Sequence, residues 1–391
     1  MTTKGPFSVD DLLARARKEA GLQDFGTAVF MPAMQKFVHG ANGIADNLRD
    51  DGKKAFEDWV IRLLVNRLRM HRDIQQNPGI LQQKILPPSA IIGLPRTGST
   101  KLQHMLAAGH GFLEPLFWQL FNPAPFPTPP NAKPGDRDLR IQSAIEFVSR
   151  IAADAPDAHK GHQRIVEQAD EECYYLDQTF ETPSMISFFP AYDWCKYIER
   201  LDKTEMYQHL RVGLQYLQWQ FHPNANMPWL LKYPANLGNE SYISRTFPGI
   251  KYVVTHRDPF PVIASLSQMI SATHLLNCKT RDIKRFSVWA FEEFASEMDR
   301  HLAWRDANPD VVVLDVSFKD IVGDGMGTAR RIYDFFGAEW SAETEGKIRE
   351  WIVEDEKVKD RLEYSFDDIA YTKADFEERW ANYYQRFGHM F

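Results

Sequence analysis

The sequence predicts a three-layer α/β protein, with a central parallel sheet flanked by helices. Four short apolar segments, each bounded by turn residues, indicate the strands: 90–94, 229–232, 251–255 and 311–316. These runs are continuous rather than alternating, which is typical of strands buried on both faces. Segments with helical periodicity separate them, and alternation of strand and helix favours a parallel sheet.

The segment before the first strand has a helical pattern. Ser8 precedes an acidic first turn, as an N-cap does. The stretch 53–74 carries apolar residues at helical spacing, which places Arg62 and Arg69 on the opposite face. Pro87 and Pro88 then end the pattern. We therefore predict an N-terminal helical region over 1–86 and an α/β domain over 87–391.

Four helices are predicted around the later strands, and two further segments elaborate the domain. The helices span 203–221, 261–276, 283–305 and 327–336. The insertion at about 111–203 is rich in proline and large aromatic residues, which disordered segments usually lack. We expect a helical, Pro-rich subdomain or lid there rather than a loose surface loop. A C-terminal helical region is expected over about 340–391.

Composition narrows the class of protein and its compartment. The chain has 391 residues, is 44% hydrophobic and carries a net charge of −7 without a basic block, which disfavours nucleic acid as a partner. Its three cysteines include no CxxC pair, which suits a reducing compartment. The N-terminus lacks the apolar run of a signal peptide, and no stretch reaches the roughly 18 apolar residues of a membrane span. We expect a cytoplasmic protein without a transmembrane segment.

The turn after the first strand has the spacing of a phosphate-binding P-loop. Gly93 and Gly98 are followed by two hydroxyl residues in "GLPRTGST", and a helix is expected from Thr100. Ser99 stands where nucleotide hydrolases have the lysine that reaches the β- and γ-phosphates. Arg96 offers a planar fork for phosphate oxygens instead. The pattern predicts a P-loop-like fold that binds a shorter nucleotide phosphate without a metal.

A second phosphate motif lies on a later strand. The strand 251–255 leads into Arg257, at the carboxyl end where parallel sheets bind ligands. Ser265 follows eight residues later, about two helical turns on. If the chain folds back at Asp258, Arg257 and Ser265 can hold one phosphate. The alternative for Arg257 is an ion pair with Asp258 or another neighbouring acid.

These two motifs resemble those of the sulfotransferases that use 3′-phosphoadenosine 5′-phosphosulfate (PAPS), in particular the bacterial sulfotransferase-like family. The segments "WLLKYPANL", "FPGIKYVVTHRDP" and "IYDFFG" are similar to that family too. The resemblance implies sulfuryl transfer from PAPS to a hydroxyl or amine, with 3′,5′-bisphosphoadenosine (PAP) as product and no metal. It implies that the 3′-phosphate is bound by Arg257 and Ser265, and that the 5′ end is held by Arg96, Thr97, Gly98, Ser99 and Thr100.

The resemblance also suggests catalytic residues. Lys232, at the end of the "WLLK" strand, is similar in placement to the catalytic lysine of the superfamily, although a lysine there is usually a solvated charge. Histidines found in relatives after this lysine are replaced by Pro234 and Asn236. For the general base, Glu114 is the first candidate and His162, ahead of "EEC", is the second. A solvated carboxylate and a structural histidine are the respective alternatives, and His159 is a weaker candidate.

The acceptor and the rival functions follow from the remaining features. We expect an apolar, hydroxylated or lipid-like acceptor, bound by aromatic residues of the insertion and by the helix after Ser265. Its identity does not follow from the sequence. One rival is a P-loop nucleotide kinase or NTPase, with Asp315 as the Walker-B acid; the other is a non-catalytic binding protein. The aromatic C-terminal helix could support a homodimer. The aromatic candidates for the acceptor pocket are Phe117, Trp118, Phe121, Phe126, Phe188, Phe189 and Trp194.

Overall fold

The predicted parallel sheet is present and has helices on both faces. The structure, a computed structural model, describes residues 5–129, 133, 135–357 and 362–391. In that part of the chain the sheet has four strands in the order β2-β1-β3-β4, all parallel. They are β1 Ser89–Gly93, β2 Leu230–Lys232, β3 Lys251–His256 and β4 Val313–Ser317. The α/β prediction is confirmed, and each predicted strand lies within about two residues of its observed bounds.

The strand order creates a switch point between β1 and β3. After β1 the chain crosses to β2 on one side, and it then returns to place β3 on the other side. In the register, Ile91 lies beside Val253 and Gly93 beside Thr255. The carboxyl ends of β1 and β3 therefore lie side by side, which is where open parallel sheets bind ligands. The two phosphate motifs of the sequence leave the sheet at this edge.

The helices follow the predicted segments closely. The N-terminal part contains α1 Val9–Ala20, α2 Met31–Gly43 and α3 Asp50–Gln76, and the glycine-rich turn is followed by α4 Ser99–Ala108. Short helices occupy the insertion: α5 Phe117–Phe121, α6 Leu139–Asp154, α7 Pro156–Gly161, α8 Cys173–Leu176 and α9 Tyr192–Ile198. The sheet is flanked by α10 Thr204–Phe221, α11 Glu240–Thr246, α12 Pro259–His274, α13 Ile283–Ala307, α14 Phe318–Gly323 and α15 Gly325–Phe336. The chain closes with α16 Ala342–Asp355, α17 Lys373–Arg379 and α18 Ala381–Phe387.

Two hydrophobic clusters cover the two faces of the sheet. Ile92 and Val254 belong to a large cluster shared with the N-terminal helices, the insertion and the C-terminal helices. Ile91 and Val253 point into a smaller cluster with α4, α15 and α16. Continuous apolar strands are required because both faces are covered. Since α1–α3 share the larger cluster with the sheet, the boundary at residue 86 marks a change of element type, and its role as a domain boundary stays a prediction.

The arginines of the longest N-terminal helix pack against the insertion. Ser8 caps α1 as expected, accepting from the Asp11 N–H. In α3, however, Arg69 is 8% exposed, and Arg62 donates to the Phe121 carbonyl of the insertion. Burial lowers the pKa of Arg62 to about 10. The insertion packs over the face that carries these arginines, which periodicity within one helix cannot reveal.

No helix in the described ranges is long and apolar enough to cross a membrane.

Close packing of β1 against β3 depends on one glycine. Gly93 has a φ of +135°, and a Cβ placed there would lie 2.6 Å from both the carbonyl and the hydroxyl oxygen of Thr255. Such a distance is far below van der Waals contact, so a side chain at this position would force β1 and β3 apart. Gly21, which ends α1 with a φ of +65°, has open space around it.

We therefore expect Gly93→Ala to cost about 2 to 4 kcal/mol of unfolding free energy, because it adds a steric clash to an unfavourable backbone conformation. Gly21→Ala is the matched control, and we expect it to cost about 1 kcal/mol, from the backbone conformation alone. Thermal or urea unfolding of the two variants would check this. Equal losses for both would show that β1 and β3 do not depend on the close approach.

Candidate active site

The turn after β1 has the geometry of an anion site at the start of α4. Gly98 caps the helix in the left-handed region, with a φ of +83°, and α4 begins at Ser99, one residue earlier than predicted. The Leu102 N–H donates to the Gly98 carbonyl at 2.9 Å. The N–H groups of Ser99, Thr100 and Lys101 precede that bond, so they have no partner within the helix. Together with the helix dipole, they favour a bound anion.

Thr97 supports the loop rather than presenting its hydroxyl to a ligand. The Thr97 side chain is fully buried and donates to the Leu94 carbonyl at 2.6 Å. It also lies 2.6 Å from the Thr255 hydroxyl on the neighbouring strand. Of this residue, only the backbone remains available to a phosphate.

Three polar side chains from distant parts of the chain meet beside this loop. Arg96 has a φ of +64°, and its Nε donates to the Ser265 hydroxyl on α12 at 3.2 Å. Its Nη1 donates to the Gly161 carbonyl of the insertion. Arg257 Nη1 donates to the Arg96 carbonyl at 2.8 Å. The structure thus brings Arg96, Arg257 and Ser265 together, as the two sequence motifs predict.

The charge of this cluster is not balanced locally. No carboxylate of the described chain forms an ion pair with Arg96 or Arg257. Burial, and then the neighbouring Arg257, lower the pKa of Arg96 to about 10. Asp258, the sequence alternative for pairing Arg257, instead caps α12 at the Phe260 N–H and accepts from the Tyr384 hydroxyl. The Asp258 charge still acts on the pKa of Arg257, but neither guanidinium group has a carboxylate in direct contact among the described residues, which favours binding of an anion such as phosphate.

Lys232 lies next to the same loop. Its side chain is fully buried, and Nζ donates to the Thr100 hydroxyl at 3.2 Å and to Glu171 Oε1 at 2.6 Å. A buried ammonium with a carboxylate and a hydroxyl as partners is held in one position. The solvated alternative for Lys232 is wrong. Its positive charge is directed at the N-terminus of α4.

His162 forms a second buried pair close to Lys232. Its Nε2 lies 3.1 Å from Asp170 Oδ1, and its Nδ1 lies 4.0 Å from Glu171 Oε1. Although burial opposes it, the His162 ring, with Lys232 and Arg164, holds the pKa of the Asp170 carboxyl far below its ordinary value. An ionised carboxylate can only accept, so Nε2 donates to Asp170, and in the neutral form of the ring the lone pair is at Nδ1. His162 is thereby oriented to take a proton at Nδ1.

Glu172 holds the carboxyl end of β2 in place by hydrogen bonds. It accepts from the Lys232 N–H at 2.9 Å and from Asn236 Nδ2 at 2.7 Å, and burial raises its pKa to about 7. The Tyr207 hydroxyl donates to the side-chain oxygen Oδ1 of Asn236 at 2.9 Å. Asn236, which replaces a histidine of relatives, therefore has a positioning role here.

A cavity of about 130 Å³ connects these groups. One part of its wall comes from Arg96, Thr100, His162 and Glu171. Of the seven aromatic residues proposed from the sequence, Phe188 lines it, whereas Phe117, Phe121 and Trp194 pack in the core. Trp118, Phe126 and Phe189 are likewise absent from the described lining. The aromatic lining comes instead from Tyr174, Tyr233, Phe286, Trp289 and Phe294.

The structure does not bring Glu114 to this cavity. Its neighbour Leu113 pairs with Trp229, just before the amino end of β2, whereas Lys232 ends that strand. The nearby Tyr333 hydroxyl donates to the Leu106 carbonyl in the last turn of α4, and Glu114 acts on the pKa of Tyr333. Burial alone raises the pKa of Glu114 to about 7. Glu114 thus lies beyond the far end of α4, away from the phosphate loop.

Two site residues were missed by sequence reasoning. Asp170 and Glu171 are the partners of His162 and Lys232, and the sequence interpretation used the "EEC" segment only as a landmark. Three successive carboxylates, 170–172, in a buried, aromatic-rich segment were the available signal. Buried carboxylates require cationic or hydrogen-bonding partners, so such a run predicts a charged site.

The residues that the nucleotide-kinase alternative requires are engaged elsewhere. Lys101 pairs with Asp355 on α16 rather than turning to the loop. Asp315 accepts from Arg305 at 2.7 Å and pairs with His256 at 2.8 Å. Those partners lower the pKa of Asp315 to about 2 despite its burial. Among the residues described, no group of three or more His, Cys, Asp or Glu side chains is arranged to hold a metal ion.

Two solved structures that resemble this chain over nearly its whole length are sulfotransferases. The structure of sulfotransferase STF9 from Mycobacterium avium matches with a TM-score of 0.84 and 22% identity, over 99% of this chain and 98% of that one. Sulfotransferase STF1 from Mycobacterium tuberculosis matches with a TM-score of 0.76 and 24% identity, over 97% and 100% of the two chains. At these identities the likeness establishes the fold. No curated protein matches the sequence.

The sequence itself matches a family model across most of the α/β region. The model describes the sulfotransferase family and covers residues 88–342, from β1 through α15. That range includes the phosphate loop, Lys232, Arg257 and Ser265, on a fold shared with two mycobacterial sulfotransferases. The chain belongs to the sulfotransferase family.

Proposed function

We propose that this protein transfers a sulfuryl group from PAPS to a hydroxyl or amine of a small, largely apolar acceptor. The observation that carries the proposal is the concentration of positive charge at the start of α4, where Lys232 is paired with Glu171 but the two arginines have no carboxylate in direct contact among the described residues. Arg96, Arg257 and Lys232 converge there beside the free N–H groups of the helix. A ligand with two separated anionic groups fits this arrangement, because the guanidinium groups and the helix end offer distinct positions.

The residues divide between the two ends of such a ligand. The N-terminus of α4, with Gly98, Ser99 and Thr100, would hold the 5′-phosphosulfate. Arg257 and Ser265 would hold the 3′-phosphate, and Arg96, now bonded to Ser265, lies between the two positions. When bound, PAPS would supply the sulfuryl group and leave as PAP. No metal is needed, because side-chain and helix charges neutralise the phosphates.

His162 and Lys232 would carry the chemical step. The acceptor oxygen forms its bond to sulfur as its proton passes to His162 Nδ1. The bond from sulfur to the bridging phosphate oxygen breaks, and the Lys232 ammonium stabilises the charge that develops there. Asp170 orients the ring of His162, while Glu171 holds Lys232 in place. Each group has a buried partner, so the site is organised before the ligands arrive.

Catalysis is favoured over a purely binding role by these paired groups. A phosphate-binding module requires the arginines and the helix end but not an oriented, basic imidazole next to them. The kinase alternative is disfavoured by the partners of Lys101 and Asp315. The three cysteines are free and buried, which fits the proposed cytoplasmic location. A homodimer through the C-terminal helices stays a prediction.

Arg257→Ala is expected to weaken PAP binding by about 10- to 100-fold, because a hydrogen bond to a charged group contributes about 1.5 to 3 kcal/mol. The affinity for adenosine 5′-phosphate, which has no 3′-phosphate, should change far less. Isothermal titration of both ligands measures this. Arg331→Ala is the control, since Arg331 is half-exposed on α15 and pairs with Asp320. Equal losses for the two nucleotides would remove Arg257 from the 3′-phosphate site.

His162→Gln is expected to lower kcat by about 100-fold or more, the usual contribution of a general base. PAP affinity should stay within about twofold, because the imidazole does not belong to the phosphate cluster. The assay uses labelled PAPS and a panel of small aliphatic and aromatic alcohols. His159→Gln is the matched control, because His159 lies one turn away on α7 and outside the described cavity lining. If both variants kept wild-type turnover, another group would be the base.

A further inference from the structure

The acceptor cavity contains two buried polar groups that the transfer chemistry does not use. Glu297, on α13, lines the cavity and is 3% exposed. Tyr233, which follows Lys232, also lines it and is 4% exposed. The Oε2 of Glu297 and the hydroxyl of Tyr233 have no hydrogen-bond partner in the described part of the chain. Buried polar groups in folded proteins are nearly always satisfied, so these two groups, which line a cavity, are suited to a ligand that supplies hydrogen-bond partners.

The surroundings of Glu297 are predominantly acidic. Burial first, and then Glu293 one turn away, raise the pKa of Glu297 well above its ordinary value. Glu199 and Glu240 act in the same direction, whereas Arg300 opposes them. Asp177 adds a further carboxyl to the cavity wall. These influences keep the Glu297 carboxyl neutral in the free protein, and a cation that enters this part of the cavity would favour its ionised form.

Aromatic side chains complete this part of the wall. Phe286, Trp289 and Phe294 lie on α13 together with Glu297, and all three line the cavity. The faces of aromatic rings attract ammonium groups, most strongly where water is excluded. A carboxylate together with such rings satisfies both the charge and the hydrogen bonds of an ammonium ion. An unpaired hydroxyl such as that of Tyr233 can accept one further hydrogen bond from it.

We propose that the acceptor is an amino alcohol, an apolar body with an ammonium group bound by Glu297 and Tyr233 and a hydroxyl directed to His162. This inference rests on the proposed sulfuryl transfer for the role of the hydroxyl. Recognition of the ammonium group depends only on the cavity. Glu297 is accordingly a specificity-determining residue, and neutral alcohols of the same length leave its carboxyl unpaired.

Binding of three matched probes tests this directly. We would titrate PAP-saturated protein with 6-amino-1-hexanol, 1,6-hexanediol and 1-hexanol near neutral pH. We expect the amino alcohol to bind at least about tenfold more tightly than the other two, the minimum for one desolvated ammonium–carboxylate contact. Equal affinity of the diol and the amino alcohol would overturn the inference, and so would preference for hexanol.

Two variants locate the contact. Glu297→Gln keeps the size of the side chain but removes its charge, so the ratio of amino alcohol to hexanol affinity should fall to about one. Glu292→Gln, on the exposed side of α13 where Glu292 pairs with Arg379, should keep the wild-type ratio. A second variant, Glu297→Leu, should reverse the preference towards hexanol. An unchanged ratio in a folded Glu297 variant would contradict the assignment.

The outcome separates this inference from the proposed function. If PAP binds and hexanol is sulfated without any advantage for the amino alcohol, the ammonium site is wrong and sulfuryl transfer stands. If PAP does not bind, the proposed function fails, and the probes are titrated against the free protein. Preference for the amino alcohol there would still support the cation site in the cavity.

Discussion

The close approach of β1 and β3 at their carboxyl ends is the constraint on which the site depends. Gly93 lies against Thr255 with no room for a side chain, and the Thr255 hydroxyl in turn contacts Thr97 inside the phosphate loop. Each strand then turns into a helix at that edge, β1 into α4 and β3 into α12. The contact allows the Arg257 side chain to donate a hydrogen bond to the Arg96 carbonyl, although the two residues are far apart in the sequence. A single steric condition thus brings two anion-binding turns together.

A second principle is the pairing of charge in the buried part of the site. Asp170 and Glu171 neutralise His162 and Lys232, and Glu172 anchors the backbone of β2. The arginines beside the phosphate loop have no such partners, nor does Glu297 on α13. We propose that the compensated groups serve catalysis, whereas the two arginines and Glu297 bind charged groups of the ligands. The same cavity therefore has a cationic part for the donor and an acidic, aromatic part for the acceptor.

Sequence reasoning succeeded where the signal is local and failed where it depends on packing between distant segments. The strands, the loop and the Arg257–Ser265 spacing are each contained in a short stretch, because strand ends and helix starts are set by nearby residues. Glu114 was placed near the phosphate loop because proximity in sequence does not show which end of α4 a residue approaches. The helix α4 has ten residues, so its two ends lie about 15 Å apart. Six of the seven aromatic candidates, all except Phe188, are absent from the described cavity lining for the same reason: composition does not distinguish a core from a cavity wall.

Isothermal titration of the protein with PAP, compared with ADP and Mg²⁺, would show whether this is a metal-free site for a nucleotide with two separated phosphates. We expect tight binding of PAP without metal and little or no binding of ADP with Mg²⁺. Binding of ADP only in the presence of Mg²⁺, with no affinity for PAP, would contradict it and favour a nucleotide-kinase function.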